Sequence, residues 1–416
     1  MTLRIRDISN DLGVLALLWL AGLYLRLPVL VAPPLAPHIG EALSLSQTHI
    51  GALTTLPVFM LAVGALLGSL LIMRMGARNA LVAALALVAV TSAARGASSG
   101  AADLLLFSAL MGLAIAVMQP ALPALLPRWL SPARIALGSA CYMNGMLMGE
   151  FIGAGLTLPV IMPLAGDSWR VALLFWSLPG LLVAALLLLP RRNLNAAETA
   201  SLHWLPSWRD PLMWQMGLLL GATAALFFGT NAYMASILEQ RGEIEHLATT
   251  LFWFNLAQVM ASLLMLALAS RWVARRGPVI FSITGAVVSM LLFLLLEGWL
   301  AVGFAVLMSF FAGVLLILLV ALPPRLFDSG RAGRLSAGTF TIGYTLAFII
   351  PLLGGWLADF TGNSLIAGWV IVAFASLTIP LAWRLHSPTA GPPGAKHPPR
   401  DHKNNTRTHK SRNRQK

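Results

Sequence analysis

Long apolar runs, each close to the length of a bilayer crossing, occupy most of this chain. About 20 apolar residues cross the hydrocarbon core as a helix. Reading for such runs predicts twelve, numbered spans 1 to 12: 12–36, 47–72, 79–97, 102–126, 135–160, 168–190, 211–238, 248–270, 278–296, 300–322, 336–358 and 365–384. The runs are continuous and lack the two-residue alternation of barrel strands, so helices are predicted. The longest central connection, 191–210, separates six spans from six. The expected organisation is an all-α membrane protein with an N-terminal segment at 1–11 and a six-helix half at 12–190. The central loop follows, then a second half at 211–385 and a tail at 386–416.

Composition agrees with this pattern. The 416 residues are 58% hydrophobic and 10% charged, where soluble domains carry about 25% charged residues. The net charge of +13 does not point to nucleic acid, because its distribution follows the loops. With the N-terminus placed in the cytoplasm, 24 of the 28 basic residues fall on the cytoplasmic side. Leaving out the last span's end and the tail, the count is 15 against 3, the outer three being Arg95, Arg170 and Arg241. That bias predicts two cytoplasmic termini. All four lysines lie in the last 21 residues, in a stretch rich in Pro, Arg, His and Asn that reads as a disordered tail. The single Cys141 excludes an intramolecular disulfide framework. No cleavable signal peptide is expected, because the first run holds Arg26 and continues into prolines.

The halves echo one another. Span 5 reads Leu137-Gly-Ser-Ala-Cys-Tyr-Met-Asn-Gly145 and span 11 reads Leu335-Ser-Ala-Gly-Thr-Phe-Thr-Ile-Gly343, and Arg74-Met-Gly76-Ala-Arg78 has a counterpart in Arg275-Arg276-Gly277. Gly145, Gly149 and Gly153 recur every four residues, as do Gly64 and Gly68, which lets helix backbones approach closely. Pro28, Pro33, Pro34, Pro57, Pro120, Pro123 and Pro351 sit within spans, and each removes a backbone donor. Two related six-helix halves with a site near the midplane match the major facilitator architecture.

Three segments carry a closer resemblance. The first holds Leu25-Arg26, then Ala32-Pro-Pro-Leu-Ala-Pro-His-Ile39, Leu45-Ser-Gln47 and Leu53-Thr-Thr-Leu-Pro57. The second runs from Gly229-Thr-Asn-Ala-Tyr233 to Glu239-Gln-Arg-Gly242. The third runs from Gly343-Tyr344 through Pro351 to Gly354-Gly-Trp-Leu-Ala-Asp-Phe-Thr-Gly362. Together they resemble the cyanate and 2-nitroimidazole transporter family (CynX/NimT-like) of the major facilitator superfamily. The likeness runs almost end to end, excluding the tail. Departures are Tyr24 where that family has Asn, Leu27 between Arg26 and Pro28, Gln119 for Asn, and Met73 where facilitators place Asp. The resemblance implies a secondary transporter of the bacterial inner membrane.

Arg26 is the leading candidate for chemistry. A guanidinium inside a bilayer costs at least about 2.5–3.5 kcal/mol on insertion scales, and its planar fork suits carboxylate-like or small inorganic anions. A structural pair with Glu150 is the competing reading. Glu150, deep in span 5, reads as a proton carrier, a counter-ion of Arg26 or a packed neutral acid. The second half has no charge well inside its spans, so its contribution must be neutral. Asn231 and Tyr233 in span 7, Asn255 and Gln258 in span 8, Tyr344 in span 11 and Gln119 in span 4 are the substrate-binding candidates, with interhelical hydrogen bonding as their alternative role. The resemblance covers Tyr233 and Tyr344. His38 and His49 read as polar span ends, and Asp359 as a helix-end or loop anchor.

No phosphate-cradling loop, paired metal-binding His or Cys cluster appears, so neither enzyme activity nor a cofactor or metal is expected. The reading is a monomeric secondary transporter of a small anionic or polar solute, with protons as a coupling candidate. Export of small drug-like compounds such as nitroimidazoles is the alternative, and a membrane-embedded sensor a remote one.

Overall fold

The computed structural model describes residues 2–131, 134–189, 208–273, 275–327 and 329–385. Most of the expected central loop and the whole basic tail lie outside the described residues. Among the described residues, eleven helical segments are long and apolar enough to cross a bilayer. The expected spans 2 and 3 lie in one continuous helical stretch, Gln47–Arg95, divided at Gly76 (φ 81°, ψ 154°). That backbone conformation strains any residue with a Cβ. Arg78, just beyond the break, donates through Nε and Nη2 to the carbonyls of Leu187 and Leu189 at 2.9 Å each, closing the end of span 6. Spans 2 and 3 are thus distinct elements joined by a glycine turn.

Three spans are irregular, and their irregularity follows from residue chemistry. Span 1 is helical over Thr2–Leu23, turns at residues 24–26, resumes as Leu27–Leu30 and continues as Ala32–Leu43. Pro28, Pro33, Pro34 and Pro37 have no N–H, so the carbonyls four residues earlier lose their helical donors. Span 5 runs Ile135–Leu156, widens into a π-turn at Thr157–Ile161 around Pro159, and ends at Met162–Leu164. Span 7 runs Pro211–Ala224, has a π-turn at Ala225–Gly229, and finishes as Thr230–Gln240. Such π-turns interrupt the helical ladder, often at functional sites.

Small residues set the distance between spans 1 and 5. A Cβ on Gly145 would collide with the Trp19 carbonyl, and one on Gly149 with the Leu23 carbonyl. Across the halves, span 2 packs on span 11 and span 5 on span 8. Phe59 stacks on Phe348 at 4.9 Å between ring centroids, and Phe151 meets Phe252 edge-on at 5.0 Å. The perimeter carries exposed large apolar side chains such as Leu182, Leu266 and Leu377. Acyl chains are the solvent that makes such a surface tolerable.

On the side away from the termini, arginines close the ends of spans. Arg170 Nη1 donates to the Gly96 and Ser98 carbonyls at 2.8 and 2.9 Å. Arg241 Nη2 donates to the Phe293 and Leu294 carbonyls, both at 2.9 Å.

Candidate functional site

Arg26 ends the turn that breaks span 1. It precedes the Leu27–Leu30 helix (φ −133°, ψ −32°), and its carbonyl accepts from the amides of Val29 and Leu30 at 3.0 Å each. The break turns the residue into the bundle, where it is 4% exposed. Span 5 brings Glu150 against it, because Gly149 lets the two backbones close. Arg26 Nε lies 3.2 Å from Glu150 Oε1, an ion pair without hydrogen-bond alignment. Glu150 is also 4% exposed.

The second half supplies neutral groups to this cation. Arg26 Nη2 donates to Tyr344 Oη at 3.1 Å. The Phe228 ring, in the π-turn of span 7, has its centroid 5.5 Å from the guanidinium carbon, and the Tyr344 ring 5.8 Å. Both are within cation–π range. Phe340, one turn before Tyr344, stacks on it at 5.6 Å. Arg26 Nη1 has no hydrogen-bond partner. Spans 1 and 5 of one half and spans 7 and 11 of the other therefore converge on one guanidinium with a spare donor.

The remaining sequence candidates lie elsewhere in the bundle. Asn255 Nδ2 donates to Asn231 Oδ1 at 3.0 Å, tying span 8 to span 7, and Asn255 Oδ1 is buried without a partner. Asn231 Nδ2 is used on the Phe227 carbonyl at 3.1 Å. Gln258 Nε2 donates to the Ser309 carbonyl at 3.0 Å, joining spans 8 and 10. Gln119 is half-buried on span 4 with no hydrogen-bond partner among the described residues. Tyr233 is fully buried, and its Oη donates to the Pro351 carbonyl at 2.7 Å between Gly51 and Gly355.

Tyr233 belongs to a second cluster, at the side away from the termini. There Asp359, from the end of span 11, accepts from the amides of Gln47 and Thr48 at 2.6 and 2.9 Å and from the Thr48 hydroxyl. A carboxylate at a helix N-terminus is favoured by the exposed amides and the dipole. His49 belongs to the same helix start, where Ser46 Oγ accepts from its amide at 3.4 Å. His38 is exposed.

Asp359 is the helix-end anchor expected of it, and its partner lies in the other half. Sequence reading missed two participants. Phe228 carried no signal beyond being one apolar residue among many. Arg95 read as an outer basic residue but is 1% exposed. Its position inside the limits of the third apolar run was the available clue.

The family model for the Major Facilitator Superfamily matches residues 18–248. The 2-nitroimidazole transporter of Escherichia coli K12 is 29% identical over 362 residues, covering 85% of this chain and 90% of the relative. The cyanate transport protein CynX of the same organism is 26% identical over 390 residues, covering 89% and 99%. Among solved structures, a bacterial homolog of the human lysosomal transporter Spinster, inward-facing and occupied, superposes with a TM-score of 0.72 at 16% identity, covering 90% of this chain and 97% of that one. A D-xylose–proton symporter superposes with a TM-score of 0.72 at 14% identity, covering 90% and 98%.

Proposed function

The chain belongs to the major facilitator superfamily, and from that premise we propose that it carries a small anion or small polar organic solute by alternating access, with Arg26 as the electrostatic anchor. The coarse activity is membrane solute transport; the family and the named relatives are transporters and not enzymes. One observation carries the finer reading. A guanidinium that is 4% exposed keeps Nη1 unpartnered where four spans of both halves meet. Its fixed charge and planar fork suit a small oxygen- or nitrogen-bearing anion.

Glu150 holds the site while it is empty. An arriving anion competes with the carboxylate for Arg26, and Glu150 is the group placed to take up a proton in that exchange. Proton coupling through Glu150 follows from that competition. The halves at 12–190 and 211–385 rock about the site. The bias of basic loops supports a multi-pass membrane protein with both termini cytoplasmic, and the likeness to Escherichia coli transporters supports a bacterial inner membrane. The solutes in the relatives' names, cyanate and 2-nitroimidazole, are both small. They are the first probes for this chain.

The test is uptake of labelled cyanate and 2-nitroimidazole into proteoliposomes under an imposed proton gradient. Arg26→Ala is expected to abolish uptake while the purified protein stays monodisperse. Uptake at the parent rate would remove Arg26 from the mechanism. Export of small aromatic compounds is a second reading, favoured by the Phe228 and Tyr344 rings beside the cation. Greater nitroimidazole sensitivity of cells lacking the gene would select it.

A further inference from the structure

Arg95 ends span 3, and among the described residues it is one of the largest fully buried side chains. Nη2 donates to the Pro28 carbonyl at 2.7 Å and to Ser92 Oγ at 3.1 Å, while Nε and Nη1 have no partner. Among the described residues no carboxylate pairs with it. A bare buried cation is costly to keep, and a neutral residue would pack the same position more cheaply.

What Arg95 touches explains its retention. Pro28 lies in the four-residue Leu27–Leu30 helix that Arg26 precedes. Prolines at 28, 33, 34 and 37 deprive the carbonyls of Tyr24, Val29, Leu30 and Pro33 of helical donors. The turn keeps its bonds to the Arg26 and Leu27 carbonyls but has no helical donors for those of Val29 and Leu30, and the donor from span 3 supplies a further anchor from outside. The orientation of the turn sets the direction in which the Arg26 side chain leaves the main chain.

We propose that Arg95 is a positioning residue for the Arg26 site. By pinning the Leu27–Leu30 turn through the Pro28 carbonyl, it keeps Arg26 directed at Glu150 and Tyr344. The consequence for transport rests on the anion-anchor reading above; the mechanical coupling does not. Lysine at position 95 would keep the charge and lose the fork. Ser92→Ala loosens the same guanidinium more gently, should the lysine variant fail to fold.

A thermal double-mutant cycle on the full-length purified chain tests the coupling. Arg95→Lys is expected to lower the Tm of the parent by several degrees. In a Glu150→Gln background the drop should be smaller, because one of the two contacts that the pin protects is already broken. In proteoliposomes, Arg95→Lys should raise the half-saturation concentration for cyanate or 2-nitroimidazole about tenfold and keep the maximal rate, a split that a general packing defect does not produce. Equal Tm shifts in the two backgrounds, or an unaltered half-saturation concentration, would overturn the proposal. Parent-like uptake by Arg26→Ala with unequal Tm shifts would instead sink the anion-anchor reading and leave this coupling standing.

Discussion

A single ion pair sets the chemistry at the residue scale. At 3.2 Å and an effective dielectric constant of about 20, the Arg26–Glu150 attraction is roughly 5 kcal/mol. Desolvating two ions costs several kcal/mol each. Desolvation therefore offsets the attraction, and Arg26 can exchange its carboxylate for a solute anion without a large penalty. Removing only one partner is different, because it strands a buried charge at a cost of about 3–5 kcal/mol. Glu150→Gln is therefore expected to lower the Tm in buffer, and added cyanate should restore much of the loss by mass action. A Tm insensitive to cyanate would argue against exchange. Tyr344→Phe removes a charge-assisted hydrogen bond, typically about 1.5–3 kcal/mol, and should weaken apparent affinity roughly tenfold or more in the uptake assay.

Breaks and close approaches decide the element scale. Span 1 bends because prolines remove its donors, and span 5 lies against it because glycines leave room for two backbones. Gly149→Leu would drive a side chain into the Leu23 carbonyl and separate Glu150 from Arg26. Overpacking of this kind costs about 1–3 kcal/mol or more, so the variant is expected to yield little monodisperse protein by size-exclusion chromatography. Gly333→Ala, where an added Cβ meets nothing within 4 Å, is the control and should behave like the parent. The glycine stripe and the prolines were legible in the sequence, since their chemistry is local. The π-turn that carries Phe228 was not, because Ala225–Gly229 contains no proline and reads as ordinary helix.

At the scale of the whole molecule, the halves are joined at two levels. Arg26 and Tyr344 meet at the centre, while on the side away from the termini Asp359 caps the start of span 2 and Tyr233, bonded to Pro351 within its own half, packs against Gly51 of the other. Opening the second cluster requires the Asp359 bonds to break. Asp359→Asn keeps one acceptor and loses the charge that favours the helix start. Spin labels at Glu41 and Glu245, in a Cys141→Ser background, should report longer and broader distances in that variant. An unchanged distribution would show that the Asp359 contact does not limit opening.

Some of this protein is written in local chemistry. Apolar runs, loop charges, span-breaking prolines and the burial of Arg26 and Glu150 follow from how single residues partition between water and hydrocarbon, and each was readable along the chain. Partner choice is not a local property. The candidate polar residues looked alike as a sequence, yet Tyr344 reaches Arg26 across the halves, while Gln258 and Tyr233 bond within their own half, to Ser309 and Pro351. Arg95 looked like a loop charge until packing buried it against Pro28. Hydropathy places a residue at a depth in the membrane; only the packing of helices decides what it faces there, because hydrogen bonds and ion pairs depend on distances of a few ångströms between residues far apart in the chain.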